Sequence, residues 1–445
     1  MKKFTIIFSL LLLWGCNAVK KETQEVKVPA VALHDAMQAV TDVIVHDIFS
    51  PPVASRIYAY SSVGAYEVLA SQDSAFIPLS GQLHGLAPIP QPENPVHAEV
   101  AAVDAFLRIG EALIFSEDRI ISYRQQWYDS LKNQGMSEEL LDNTLAYSQQ
   151  VKDHIMEWAS HDMYKQTRTY QKHHIGTKDG EWQPTPPAYM EAIEPHWNKI
   201  RTFVLDSASQ FRPAPPTQFS IEEGSAFYKE VMQVYETGKG LTEEQKEIAS
   251  FWDCNPYVMN VRGHVMFATK KITPGGHWMG ITKIACMGKD ASLIRSAEAY
   301  ALTAVTLADA FISCWDEKYR SNLIRPETVI NRHVDEEWMP LLQTPPFPEY
   351  PSGHSVISTA AAEMLTSLFG DAYEFADSTE ASYGLPVREF DSFRHASQEA
   401  AMSRLYGGIH YMPAIENGVT EGRGVGRFMI ENINTRKPVV ASNQE

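Results

Sequence analysis

The sequence predicts an all-α fold of two packed helical bundles, and three observations carry that expectation. Apolar residues recur at three- and four-residue spacing through most of the chain, strand-like alternation is scarce, and no internal repeat of fixed period is seen. With 445 residues, 44% of them hydrophobic and 21% charged, there is chain enough for a large core or two bundled lobes.

Taken in order, helical spacing runs through residues 30–47, 51–70, 95–115, 117–133 and 137–160. Residues 165–216 are rich in proline, aromatic and polar residues, and read as an extended connection that wraps the surface or crosses the mouth of a site. The helical pattern resumes at 221–238, 242–252, 279–288 and 291–317, and again at 354–369, 389–406 and 414–432. This divides the chain into an N-terminal helical lobe with its extended connection, 28–216, and a C-terminal helical lobe, 217–445.

The N-terminus reads as targeting rather than as fold. Lys2 and Lys3 precede an apolar run from Phe4, which leads into Leu13-Trp14-Gly15-Cys16. That pattern resembles a bacterial lipoprotein signal over 1–15, with Cys16 lipidated and 16–27 as a polar tether; a plain secretory signal is the other reading. Both export the protein, either to the cell envelope or into the medium. No internal stretch reads as a membrane span, so the expected membrane contact is through the lipid on Cys16. The formal net charge of −17 argues against a nucleic-acid partner. It also means that any anion site must be a local cationic pocket. Besides Cys16 there are Cys254, Cys286 and Cys314, an odd set without C-x-x-C spacing. They indicate neither a disulfide framework nor a zinc site, and read as small buried hydrophobes.

The chemistry concentrates in three short motifs of the last third: Lys318-x6-Arg325-Pro326, Pro351-Ser352-Gly353-His354-Ser355, and Ser403-Arg404-x5-His410. Gly353 and His354 stand where a proline-rich segment, Thr344-Pro345-Pro346-Phe347-Pro348-Glu349-Tyr350, turns into a helix. The first-turn N–H groups of a helix bind anions, Gly353 permits close approach, and Ser352 adds a hydroxyl or caps the helix. Arg325 and Arg404 supply planar forks that match a tetrahedral oxyanion, and Lys318 a point charge. The Gly407-Gly408 break turns His410 back toward the same anion, where its imidazole can bond the central atom, while His354 acts as acid or base at the opposite oxygen. Each residue alone has an ordinary alternative: a solvated lysine, Arg325-Pro326 as a helix start, Ser352 as a cap, His410 as a hydrogen-bonded core histidine. Their joint occurrence points to one oxyanion site.

The triple motif resembles the vanadium haloperoxidase and type-2 phosphatidic acid phosphatase superfamily, most strongly over 242–432. The upstream phrases Trp182-Gln183-Pro184-Thr185-Pro186-Pro187, Pro195-His196-Trp197, Phe251-Trp252-Asp253 and Pro274-Gly275-Gly276-His277-Trp278 are similar to the bacterial, iodoperoxidase-like branch. The resemblance implies a vanadate cofactor held by Lys318, Arg325, Ser352, Gly353 and Arg404, with His410 as the ligand to vanadium and His354 facing the opposite oxygen. Lys318, His354 and His410 would be catalytic. It further implies hydrogen peroxide and a halide as substrates. Iodide is the easiest halide to oxidise, and bromide is left open. Trp315, Phe347, Tyr257 and Asp253 would line the halide pocket; algal bromoperoxidases place histidine where Phe347 stands.

One departure matters. Phosphatases of the superfamily place an orienting aspartate four residues after the last histidine, where this chain has Ala414, with Glu416 offset. This weakens the alternative reading, an exported acid phosphatase with His410 as nucleophile, and leaves open what orients His410, a backbone carbonyl being one choice. A lipoprotein that only captures oxyanions is a third reading. Oligomeric state is not legible.

Overall fold

The computed structural model describes residues 26–262 and 265–437; the signal segment, Cys16 and most of the tether lie outside the described residues. The N-terminal part is built of α1 (Val31–His46), α2 (Pro51–Ala70), α3 (Ala98–Glu111), α4 (Glu117–Asn133), α5 (Glu138–Ser160) and the single turn α6 (Tyr164–Thr167). The C-terminal part holds α7 (Ala226–Lys239), α8 (Glu243–Phe251), α9 (Pro274–Gly288), α10 (Leu293–Ser321), α11 (Pro326–His333), α12 (Gly353–Phe369), α13 (Phe393–Tyr406) and α14 (Met412–Asn432). The all-α expectation holds, with two small antiparallel hairpins added: β1 (Val258–Arg262) with β2 (Val265–Thr269), and β3 (Phe375–Asp377) with β4 (Arg388–Phe390).

Local sequence explains most helix starts. Ser50, Thr273 and Ser352 each accept a first-turn N–H as N-cap of α2, α9 and α12, and Thr242 with Gln245 forms a capping box on α8. Proline in the first turn pre-sets φ for α2, α9, α11 and α14. Two boundaries differ from expectation for a physical reason. The helix expected from 279 begins at Pro274, because Thr273 caps it there; the one expected from 389 begins at Phe393, because residues 388–390 pair with β3.

Every residue of α2 is buried. It packs along α3 on one side and α10 on the other, α10 packs on α12, and α12 is flanked by α13 and α14. One apolar cluster runs through all of these, from Val26 to Met429. Contrary to the sequence reading, α10 does reach the length and apolarity of a membrane span, yet that window is wholly enclosed by the neighbouring helices. The connection over 165–216 lies across α10 and the proline-rich segment. Ile193 accepts hydrogen bonds from Trp315 Nε1 at 3.2 Å and from Tyr319, its own N–H reaches Pro346, and the buried Asp309 carboxylate of α10 accepts the N–H groups of Phe203, Val204 and Leu205.

The approach of α14 to α12 is what closes the site. Gly418, Gly422 and Gly426 recur every fourth residue on one face of α14. A Cβ on Gly422 would stand 2.2 Å from the Val356 carbonyl oxygen, and one on Gly418 would stand 2.9 Å from that of Ser352. Only a glycine stripe lets α14 lie this close to the first turns of α12.

Candidate active site

The structure brings the three motifs together. Lys318 comes from the last turn of α10, and Arg325 is the N-cap residue of α11. Ser352, Gly353 and His354 open α12, Arg404 ends α13, and His410 lies in the turn between α13 and α14. That turn depends on Gly408 at φ +75°, where a side chain would also press on Trp338 and Pro340. Arg325-Pro326 is therefore both a helix start and part of the site. Ser352 is both cap and site neighbour: its Oγ accepts the Ser355 N–H at 3.4 Å and the Ser355 hydroxyl at 2.8 Å.

The three cations are buried, and none pairs with a carboxylate among the described residues. Lys318 Nζ donates to the carbonyls of Pro348, Glu349 and Pro351, at 3.1, 3.2 and 2.5 Å. Its ammonium thus clamps the loop that leads into α12 while its charge stays at the site. Burial pulls its pKa down to about 8. Arg325 donates from Nε to Phe347 O and from Nη1 to Ile409 O, both at 2.9 Å, and Nη1 lies 3.2 Å from His410 Nε2. Arg404 is held by Ser403 Oγ at 2.9 Å and by Trp252 O at 2.6 Å. Buried Arg325 Nη2 and His354 Nε2 have no hydrogen-bond partner among the described residues. Such atoms are costly in a core, and natural in a site that receives an anion.

His410 is oriented by a residue the motif reading missed. Glu349, fully buried, accepts from His410 Nδ1 at 2.8 Å and from the Tyr411 N–H at 2.9 Å through the same oxygen. A side-chain carboxylate fills the part for which a backbone carbonyl was one choice. The usual aspartate position, Ala414, instead accepts the Ser352 N–H through its backbone carbonyl. With Nδ1 donating to Glu349, His410 Nε2 is left as an acceptor, with Arg325 Nη1 the donor beside it. Burial, reinforced by Arg325 and Lys318, holds this imidazole well below the ordinary histidine range; burial and Arg404 do the same to His354. Burial pushes Glu349 up to about 7, against the pull of Arg325.

Gly353, His354, Arg404 and His410 share one pocket with Trp315, Phe347, Phe311 and Asp253. Trp315 and Phe347 pack with centroids 5.0 Å apart. Phe347 also lies 5.1 Å from Lys318 Nζ and 5.2 Å from the Arg325 guanidinium carbon, so it is a cation–π neighbour of both as well as a pocket wall. Asp253 lines the pocket but forms an ion pair with Lys271. Tyr257 stands apart, beside Ser50 and Glu194.

A family described as the VCPO second helical-bundle domain matches residues 298–436. A solved bacterial vanadium-dependent iodoperoxidase is 51% identical, with a TM-score of 0.89, over 94% of this chain and 100% of that one. A bacterial vanadium-dependent chloroperoxidase in its holo form shares the fold at 15% identity and a TM-score of 0.66, over 87% of this chain and 93% of that one. No curated protein matches by sequence. The chain belongs to the vanadium-dependent haloperoxidase family.

Proposed function

We propose that the chain oxidises iodide with hydrogen peroxide, using vanadate held in this pocket, after export to the cell envelope. The carrying observation is three buried cations without carboxylate partners among the described residues, gathered around a neutral His410 whose Nε2 lies beside Arg325. The donor set suits a tetrahedral oxyanion. Arg325, Arg404, Ser352 and the first-turn N–H of Gly353 would hold its outer oxygens, with Lys318 adding charge, and His410 Nε2 would bond the metal. The unpartnered Arg325 Nη2 and His354 Nε2 would each gain a partner there. Bound vanadate supplies Lewis-acid activation of peroxide without changing oxidation state.

The protein's own tasks follow from the geometry. Glu349 keeps the His410 proton on Nδ1, so that Nε2 would be available as a ligand. His354, held neutral and with Nε2 unpartnered, would take or give a proton at an oxygen of the bound anion. Trp315, Phe347 and Phe311 keep bulk water from the approaching halide, and iodide, large and weakly hydrated, suits such a wall best. Lipidation of Cys16, with 16–27 as tether and the site carried by 217–445, would place this pocket outside the cytoplasm.

Apo-protein should gain iodide-oxidising activity on addition of orthovanadate and lose it to excess phosphate. Absence of activity at every vanadate level, or hydrolysis of p-nitrophenyl phosphate that vanadate inhibits, overturns the proposal. Cys16→Ala should move the protein from the membrane to the soluble fraction.

A further inference from the structure

Beside the oxyanion pocket lies a second cluster to which the reaction assigns no role, and Cys254 of that cluster also lines the pocket. Cys254 follows α8, His277 sits in the first turn of α9, and Glu380 lies between β3 and β4; all three are buried. Cys254 Sγ is 3.4 Å from His277 Nδ1 and 3.7 Å from Glu380 Oε1, and those last two atoms are 3.0 Å apart. Zinc bound to one sulfur, one nitrogen and one oxygen at ordinary bond lengths sets such atoms about 3.3–3.6 Å apart. The triangle is already near that size. A further observation points the same way. His277 Nε2 meets Asp377 Oδ2 at 2.7 Å, the carboxylate–histidine arrangement that fixes the tautomer of a ligating imidazole and raises its basicity.

We propose that Cys254, His277 and Glu380 bind one zinc-class divalent cation, with Asp377 orienting His277, as a structural pin at the edge of the active site. Binding displaces the thiol proton of Cys254 and the Nδ1 proton of His277 to solvent and forms one bond each to sulfur, nitrogen and oxygen. Among the described residues no fourth histidine, cysteine or carboxylate joins the group, so a fourth position is left to a small ligand. The soft sulfur with nitrogen and oxygen favours zinc over calcium or magnesium. The pin would act on the site through Trp252. Its ring stacks on His277 at 4.6 Å, and its carbonyl holds Arg404 Nη2 at 2.6 Å. A cation here would lock the segment 252–254 against α9 and the 377–380 turn, and so fix one of the three anion-binding cations. The inference is independent of which oxyanion the pocket takes.

The test is elemental analysis of the full chain, freed of any affinity tag and dialysed, before any vanadate is added. About one zinc per chain is expected, with X-ray absorption showing one sulfur at about 2.3 Å and nitrogen or oxygen at about 2.0 Å. Among the described residues Cys286 and Cys314 lie in no such cluster, so a sulfur neighbour that is lost in Cys254→Ala reports Cys254. In Cys254→Ala and His277→Gln the zinc content should fall below about a tenth of that in the wild type, and chelation should lower the melting midpoint of the wild type only. Wild-type chain that neither retains zinc nor takes up added Zn²⁺ or Co²⁺ overturns the proposal, as does zinc retained without a sulfur neighbour or retained equally in Cys254→Ala. The wild-type measurements decide even if a variant fails to fold.

Discussion

Asp104 in α3 and Arg325 before α11 are both fully buried charges, and their surroundings differ in kind. Asp104 is matched on every side. It accepts from Arg108 at 2.6 Å and Arg124 at 3.0 Å, and from the hydroxyls of Tyr128 and Ser148, which ties α3 to α4 and α5. Arg325 lies with Lys318 and Arg404 around His410, none of the three has a carboxylate partner among the described residues, and Arg325 Nη2 has no hydrogen-bond partner among them. Burying a charge is tolerable when the fold supplies the opposite charge. Where the fold gathers like charges instead, an outside anion must complete the arrangement. The first cluster holds helices together; the second is built for something that arrives.

The largest effect should come from breaking the second cluster at its centre. His410→Ala should abolish vanadate retention in equilibrium dialysis while the helical circular dichroism is kept; retention at wild-type level would refute the placement. Breaking the first cluster should do the reverse. Asp104→Ala leaves two arginines without their shared carboxylate and should cost about 3–5 kcal/mol of stability by denaturant titration, with vanadate affinity of the folded fraction unchanged. Glu349→Ala tests the link between orientation and binding. Vanadate affinity should fall roughly 10–100-fold, and Glu349→Gln, which keeps an acceptor oxygen, should recover part of it. Equal losses in both variants would mean that charge, not orientation, is what Glu349 contributes. The smallest effect belongs to the exposed pair Lys172–Glu191, where Glu191→Gln should leave both the melting midpoint and the affinity unchanged.

Much of this was legible in the chain. The helices over 51–70 and 117–133 were placed to the residue, because a 3.6-residue apolar period, an N-terminal proline and the acidic first turn of 117–133 are local signals. The seven motif residues also declared themselves, since few structures other than an oxyanion site call for that donor set. The two hairpins were not seen, because three to five residues are too few to establish a period of two. Short α11 shows in the sequence only as a proline start.

What the sequence determined by itself was therefore the class of fold and the chemistry of the site, both carried by neighbours a few residues apart. The tertiary structure alone decided how that chemistry is aimed. Glu349 meets His410 across 61 positions, and Cys254 meets Glu380 across 126. Nothing periodic links residues so far apart. They converge only because the glycine face of α14 lets it lie against α12, and because β3 and β4 fold the 377–380 turn back over α9.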